Sequence, residues 1–333
     1  MMDSVPPNAG DSPAATNSAP DRTPLGDALT SAGSLPSAPA ERKPFQSSSL
    51  VFVFLRLCIY LALAYGISAG VFLLQRAFLR REASQFATQI FIGESIGLSG
   101  VLAAAGIMSR LEKRSFGTYG LPLRGAFGRL FWSGVVLGLA EISAVVGGMA
   151  AFGAYHFGTI AVHGTDLIRW ATFWAIFFLI VGLYEEFQFR GYVQFTVTQG
   201  LGFWPAAILL SLAFGLVHIR NPGENWAGVA GVILTGLLWC FALRRTGSLW
   251  LAVGMHASFD FGETFLYSVP DSGLLFPGHL SNAAIAGPAW LTGGSVGPEA
   301  SVFDFVVLML FFFVIHWLFP AKPSEPKLQA PLG

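Results

Sequence analysis

Long runs of apolar residues, interrupted at a few points by acids and imidazoles, constrain the fold of this chain more than any other feature. A helix needs about 20 apolar residues to cross the hydrocarbon core of a bilayer, and we predict roughly eight such spans. Hydrophobic residues make up 53% of the chain and charged residues 11%, which is about half the charged fraction of a soluble domain. The sequence therefore predicts an all-α fold, a polytopic transmembrane helix bundle with spans at about 50–78, 86–108, 130–155, 167–193, 204–218, 226–243, 248–266 and 302–319.

The two ends of the chain differ in composition from the apolar part. Residues 1–48 are rich in Pro, Ser, Ala and Asp, and such a segment cannot bury enough apolar surface to offset its conformational entropy. We predict a disordered N-terminal tail over 1–48, a transmembrane domain over 49–320 and a short C-terminal tail over 321–333.

The distribution of Lys and Arg near the span ends predicts the orientation, because these residues are retained on the cytoplasmic side. The predicted outer loop 267–301 contains no Lys or Arg, whereas Arg76, Arg80 and Arg81 in the first loop favour the opposite orientation. We predict an integral protein of a bacterial inner membrane with both termini in the cytoplasm. The predicted cytoplasmic cations are Arg42, Lys43, Arg110, Lys113, Arg114, Arg124, Arg129, Arg244, Arg245, Lys322 and Lys327.

Ionisable residues inside a span are costly and therefore indicate function. Glu94 and Glu141 each stand alone in an apolar run, and we interpret them as protonated carboxyls bonded to a neighbouring helix. Near the end of the fourth span, Glu186 and Arg190 are four residues apart and can form an ion pair along one helix face. Glu185 then points in another direction, with no cation nearby. A carboxylate that is desolvated in this way is tuned to act as a general base.

Two later spans carry imidazoles at comparable positions. His218 ends the fifth span, and His256 lies four residues before Asp260 in the seventh, so that these two share one helix face. A histidine and a carboxylate at this spacing can either orient the imidazole or supply two ligands to a divalent metal. Acids and imidazoles on three separate spans predict one shared site that activates a water molecule and polarises a carbonyl group.

These residues together resemble the CPBP family of membrane proteases, also called the Abi family, which includes CAAX prenyl endopeptidases and bacteriocin-processing or immunity proteins. The family pattern is Glu-Glu-x-x-x-Arg, then Phe-x-x-x-His, then His-x-x-x-Asn or Asp. It is matched within 182–261 by Glu185, Glu186, Arg190, Phe214, His218, His256 and Asp260.

The resemblance implies an intramembrane endopeptidase, similar to the CAAX prenyl proteases, that hydrolyses a peptide bond with an activated water. Glu185 would be the base, working with His218, while His256 and the residue at position 260 hold the carbonyl oxygen. Glu186 and Arg190 would be supporting residues. The implied partners are the lipid bilayer and a peptide or protein substrate, with prenylated proteins as one substrate class. Nucleic acid is not expected, because the formal net charge is zero and no basic field attracts phosphates.

Position 260 departs from the prenyl endopeptidase branch, which has Asn there. An ionised Asp cannot donate a hydrogen bond to an oxyanion, so Asp260 is either protonated, or orients His256, or binds a metal. The family has been described both as metalloproteases and as metal-independent glutamate proteases. We therefore expect either no cofactor or one divalent metal, with zinc as the preferred ion, held by Glu185, His218, His256 and Asp260.

Two other classes of function are compatible with the same residues. In the first, the protein is a non-catalytic membrane scaffold or a bacteriocin-immunity protein, and the polar cluster is a structural network. In the second, it carries a small solute or ion, and the buried carboxylates relay protons. The absence of an inverted repeat between the two halves of the sequence disfavours the carrier.

Overall fold

The computed structural model describes residues 49–78 and 86–320. The tails predicted for 1–48 and 321–333 lie outside these residues. Within the described part the chain is helical, as predicted, because a helix satisfies every backbone donor and acceptor of an apolar segment internally. The main helices are α1 (Leu50–Phe78), α2 (Phe86–Leu111), α3 (Arg129–Ala151), α4 (Gly164–Arg190), α5 (Tyr192–Leu201), α6 (Phe203–His218), α7 (Trp226–Thr246) and α8 (Trp250–Phe261), followed by the one-turn helix α9 (Ala289–Thr292) and by α10 (Val302–Leu318).

Five stretches of the described chain are long and apolar enough to cross a membrane: Leu50–Arg76, Ala87–Leu111, Arg129–Ala151, Gly164–Leu201 and Trp226–Thr246. Phe203–His218 and Val302–Leu318 are apolar but shorter. These findings establish a polytopic helical bundle, while a count of eight spans is not reached. The predicted seventh span is different in kind, because it consists of the 12-residue helix α8 followed by a π-helical turn at Gly262–Leu266.

Helix α8 lies at the centre of the bundle, which explains why it can be short. All residues of α8 from Trp250 to Asp260 are buried, and α8 packs against α3, α4 and α7. A helix that is surrounded by protein need not match the thickness of the lipid, because its neighbours provide its apolar environment. The site residues His256 and Asp260 are thus held by protein on every side of α8.

Glycines allow α3 and α8 to approach closely. A Cβ atom at Gly134 would overlap the carbonyl oxygen of Leu251, and one at Gly138 would overlap that of Met255. In the other direction, a Cβ at Gly254 would overlap the carbonyl oxygen of Phe131. Small residues at such crossings bring helix backbones into contact inside membranes. This contact fixes α8 against α3 and leaves the opposite face of α8 to pack against α4.

The segment between α8 and α10 closes one end of the bundle. Its strand β2 (Ala284–Ile285) pairs antiparallel with β1 (Tyr155–His156), which follows α3. A 3₁₀ turn at Pro298–Ala300 then leads into α10, where the Ser301 hydroxyl caps the helix by accepting a hydrogen bond from the Phe303 amide. The segment 267–301 therefore folds back onto the bundle.

A buried polar network joins α1, α2 and α5. The Glu112 carboxylate accepts hydrogen bonds from the hydroxyls of Tyr119 at 3.3 Å and Tyr192 at 2.5 Å. Arg56 approaches the same carboxylate at 3.9 Å and also donates to Gln199 at 3.0 Å. Both members of the Arg56–Glu112 pair are 1% exposed, so the charges are buried together and compensated together.

Candidate active site

Helix α4 supplies two carboxylates that face different directions, as predicted for consecutive residues. Glu186 is fully buried, and its Oε1 accepts a hydrogen bond from Arg190 Nη1 at 2.7 Å. The predicted ion pair one turn apart is thus present. The Arg190 guanidinium also lies over the Phe214 ring, 4.2 Å from its centroid. This cation–π contact adds to the ion pair in holding the charged group within the bundle.

His256 is surrounded by three carboxylates. Its Nδ1 lies 3.1 Å from Glu186 Oε1, while its Nε2 lies 3.3 Å from Asp260 Oδ2 and 3.7 Å from Glu185 Oε2. The ring stacks on Trp239 with centroids 4.2 Å apart. We assign a proton to Nδ1, because Glu186 is an acceptor only, and this orients Nε2 towards Glu185 and Asp260.

His218, the last residue of α6, is oriented by its own helix. Its Nδ1 lies 2.7 Å from the carbonyl oxygen of Phe214, and its ring makes an edge contact with the Phe214 ring at 4.8 Å. A carbonyl oxygen only accepts, so Nδ1 carries the proton and Nε2 is left as an acceptor. The first position of the Phe-x-x-x-His motif thereby fixes the tautomer of the last.

A single cavity of about 330 Å³ brings the predicted catalytic residues together, since Glu185, His218, His256 and Asp260 all line it. Helix α6 has 16 residues and extends about 24 Å. This is less than the roughly 30 Å of hydrocarbon, so His218 at its end can lie at membrane depth. Glu186 and Arg190 are not among the residues that line the cavity.

The cavity also contains acids that the sequence analysis missed or interpreted differently. Glu94 of α2 lines the cavity, and its Oε2 is buried without a hydrogen bond to any described residue. Asp271 and Glu299 enter from the segment that closes the bundle. The isolated position of Glu94 within an apolar run was the available signal, whereas nothing in the local pattern around Asp271 or Glu299 indicated that they reach this site.

The electrostatics of these loop acids differ from those of surface carboxylates. Burial, with the nearby Asp260 carboxylate, raises the pKa of Glu299 to about 8, although its hydrogen bonds from Ser272 act in the opposite direction. Burial and the charges of Asp260 and Glu299 raise the pKa of Asp271 well above its usual range. The wall of the cavity therefore concentrates acidic groups that compete for protons or for a cation.

The suitability of the predicted ligands for zinc depends on their spacing. The 3.3 Å between His256 Nε2 and Asp260 Oδ2 is about the separation of two donors on one tetrahedral zinc. Glu185, His218, His256 and Asp260 nevertheless do not form a group of three ligand atoms within 4.8 Å of one another. Among the described residues, such a group is formed by Glu263, Asp271 and Glu299 instead. His256 and Asp260 suit a metal as a pair, and binding by the full set stays a prediction.

The fold and the cavity define a helical membrane protein with a buried acid–imidazole site. Residues 166–262 match the family model of the type II CAAX prenyl endopeptidases described as Rce1-like, which confirms the resemblance to the CPBP family. The matched segment contains Glu185, Glu186, Arg190, His218, His256 and Asp260. The match supports a protease-like function and an integral membrane location. No curated protein matches this chain.

Proposed function

We propose that this protein is an intramembrane endopeptidase in which Glu185 activates the attacking water. The observation that supports the proposal is the cavity lined by Glu185, His218, His256 and Asp260, since all four residues also belong to the segment matched by the family. Among the described residues no arginine pairs with Glu185, and Arg190 is bonded to Glu186 instead. Its side chain is 23% exposed and thus accessible from the cavity.

In the proposed reaction, Glu185 accepts a proton from water while the water oxygen attacks the carbonyl carbon of the scissile bond. His218 Nε2, the free acceptor, holds the second hydrogen of the same water. The C–N bond then breaks, and Glu185 returns its proton to the leaving amine. The products are a carboxyl group and an amine. Because Glu185 has passed its proton on to the amine, it ends as the carboxylate that it was at the start.

We assign His256, oriented by Asp260, to the stabilisation of the oxyanion that forms on the carbonyl oxygen. When the His256 ring carries both protons, Nδ1–H donates to Glu186. Nε2–H then faces both Asp260 and the interior of the cavity. That N–H can donate to the oxygen on which negative charge develops, and fixed donors of this kind stabilise such transition states. In this proposal Asp260 orients the imidazole, a role that does not require a proton on its own carboxylate.

An apolar groove favours a substrate with a lipophilic tail. A second cavity of about 400 Å³ lies between α1 and α2 and reaches Tyr184, the residue before Glu185. Its wall consists mainly of Ala, Gly, Val, Ile, Leu and aromatic side chains, which is the lining expected for an apolar ligand. A prenylated peptide entering from the bilayer is the substrate class that fits both cavities, and a bacterial inner membrane with a cytoplasmic N-terminus is the proposed setting.

The test is cleavage of quenched peptides, with and without a prenylated cysteine, by the purified protein in lipid nanodiscs. Glu185→Gln keeps the size of the side chain but removes the base, so we expect the rate to fall by about 10²–10⁴-fold. Cleavage in ¹⁸O-labelled water should place one label in the new carboxyl group. We expect the wild-type rate to resist a zinc-selective chelator, as a glutamate-type enzyme would.

Glu141→Gln is the matched control, because Glu141 is 2% exposed on α3 and does not line the catalytic cavity. This variant should cleave at the wild-type rate. Equal rates for wild type and Glu185→Gln would contradict the proposed base and favour the scaffold alternative. Loss of activity with the zinc-selective chelator would instead identify a metallopeptidase.

A further inference from the structure

Three carboxylates meet at the end of the bundle that is closed by residues 267–301. Glu263 comes from the π-helical turn after α8, Asp271 from the following loop, and Glu299 from the 3₁₀ turn before α10. One oxygen of each lies within 4.8 Å of one oxygen of each of the others. None of the three belongs to the motif set that aligns the chain with the CPBP family.

Glu263 is the member whose charge is not compensated. It is 0% exposed, and neither of its oxygens has a hydrogen-bond partner among the described residues. A buried carboxylate without donors is costly, yet this one is directed at two further carboxylates. Its environment is therefore completed either by protons or by a cation.

The other two carboxylates are held in place by donors. Thr264 Oγ1 donates to Asp271 Oδ2 at 3.1 Å, and the amide and hydroxyl of Ser272 each donate to Glu299 Oε2 at 2.8 Å. Fixed orientation of this kind is what supporting residues provide around metal ligands. Across the described ranges, no ion pair involves any of the three acids.

The spacing and the donor type select a class of ion. Oxygens on opposite sides of Ca²⁺ are about 4.8 Å apart, twice a typical bond of about 2.4 Å, and those around Mg²⁺ are somewhat closer. Three carboxylates without imidazole or thiolate suit hard cations rather than zinc or copper. Asp271 and Glu299 line the catalytic cavity, so an ion could enter from it and retain water ligands.

We propose that Glu263, Asp271 and Glu299 bind one hard divalent cation of the Ca²⁺, Mg²⁺ or Mn²⁺ type. The ion would join the C-terminal end of α8 to both ends of the segment 267–301, and so fix the wall of the cavity. This site uses none of Glu185, His218, His256 and Asp260, and its existence does not depend on the proposed peptidase activity.

Direct binding to the full-length protein tests the proposal. The protein, reconstituted in nanodiscs of zwitterionic lipid and freed of metal with a chelator, is titrated with Mn²⁺ while electron paramagnetic resonance measures the free ion. We expect saturable binding of one ion per chain and competition by Ca²⁺. Glu263→Gln should weaken binding by at least about tenfold, since affinity in oxygen sites depends on ligand charge.

Thermal unfolding provides a second readout. Ca²⁺ or Mn²⁺ should raise the Tm of the wild type, and this increase should disappear in Glu263→Gln while the metal-free Tm stays equal or rises. Glu141→Gln again serves as the matched control and should keep both the binding and the Tm increase. If Glu263→Gln does not fold, Asp271→Asn replaces it in both measurements.

The results that would overturn the proposal are specific. They are the absence of saturable Mn²⁺ binding by the wild type, or equal affinity in wild type and Glu263→Gln. Binding that is lost in Asp260→Asn but retained in Glu263→Gln would assign the ion to the peptidase site instead. A wild-type Tm that does not respond to cations would show that shared protons alone complete the environment of Glu263.

Discussion

Two buried carboxylate regions of this molecule differ in how their charges are compensated. Glu112 receives hydrogen bonds from two tyrosines and has arginines on two sides, Arg56 at 3.9 Å and Arg114 at 3.6 Å. In the catalytic cavity and the adjoining cluster of Glu263, Asp271 and Glu299, by contrast, no described residue bonds one buried oxygen of Glu94 or either oxygen of Glu263. Both regions bury charge, but the described residues that compensate Glu112 have no counterpart at Glu94 and Glu263.

The difference separates structure from function. A compensated buried network holds helices together and has no capacity left for a ligand. Carboxylates that remain uncompensated at membrane depth are retained because water, a substrate, a proton or a cation completes them. Exchanging glutamate for glutamine at matched positions in the two regions should therefore have opposite consequences for stability.

The largest expected effect on stability is that of Glu112→Gln. This change removes the carboxylate that faces buried Arg56, and breaking one member of a buried ion pair costs about 3–5 kcal/mol. Thermal unfolding in detergent should show a large fall in Tm. Replacing Arg56 by Met in addition should recover part of the loss, because the second charge is then removed as well. A Tm unchanged in Glu112→Gln would contradict the structural role of this network.

Tyr192→Phe should have an intermediate effect. It removes the 2.5 Å hydrogen bond to Glu112 but retains the stacking of this ring on Tyr60. Hydrogen bonds to charged groups contribute about 1.5–3 kcal/mol, so we expect a measurable loss of stability with an unchanged peptidase rate per folded molecule. Equilibrium unfolding and peptide cleavage on the same preparation check both parts.

The smallest effect on stability is expected for Glu94→Gln. No described residue bonds the buried Glu94 Oε2, so an amide of the same size should change the unfolding free energy by less than about 1 kcal/mol, and in the direction of greater stability. The same unfolding measurement provides the comparison with Glu112→Gln. A loss as large as that of Glu112→Gln would show that Glu94 is a compensated structural group, and would remove the contrast between the two regions.

The sequence predicted the helices well, because apolar length and the requirement for internal backbone hydrogen bonds determine them. Predicted 50–78 and observed Leu50–Phe78 coincide, and Phe203–His218 differs from its prediction by one residue. The Glu186–Arg190 pair was also predictable, since both residues lie on one helix and spacing alone brings them together.

Features that depend on tertiary contacts were not predictable in this way. Asp271 and Glu299 reach the cavity because the 27 residues between them, most of them irregular, fold back, and such a path has no periodicity to detect. Glu94 was interpreted as an isolated acid, since its approach to the cavity depends on how α2 packs against α4. The sequence does not distinguish the short central helix α8 from an ordinary span, because an apolar run looks the same whether protein or lipid surrounds it.

The glycine contact between α3 and α8 has a consequence for how the site responds to its membrane. Lipid-facing helices adjust to a thicker or thinner bilayer by tilting. Helix α8 is instead fixed through backbone contact at Gly134, Gly138 and Gly254, and its own surface is buried. The depth of His256 is therefore set by the protein and not by acyl-chain length, so the chemistry should operate at the same level in membranes of different composition.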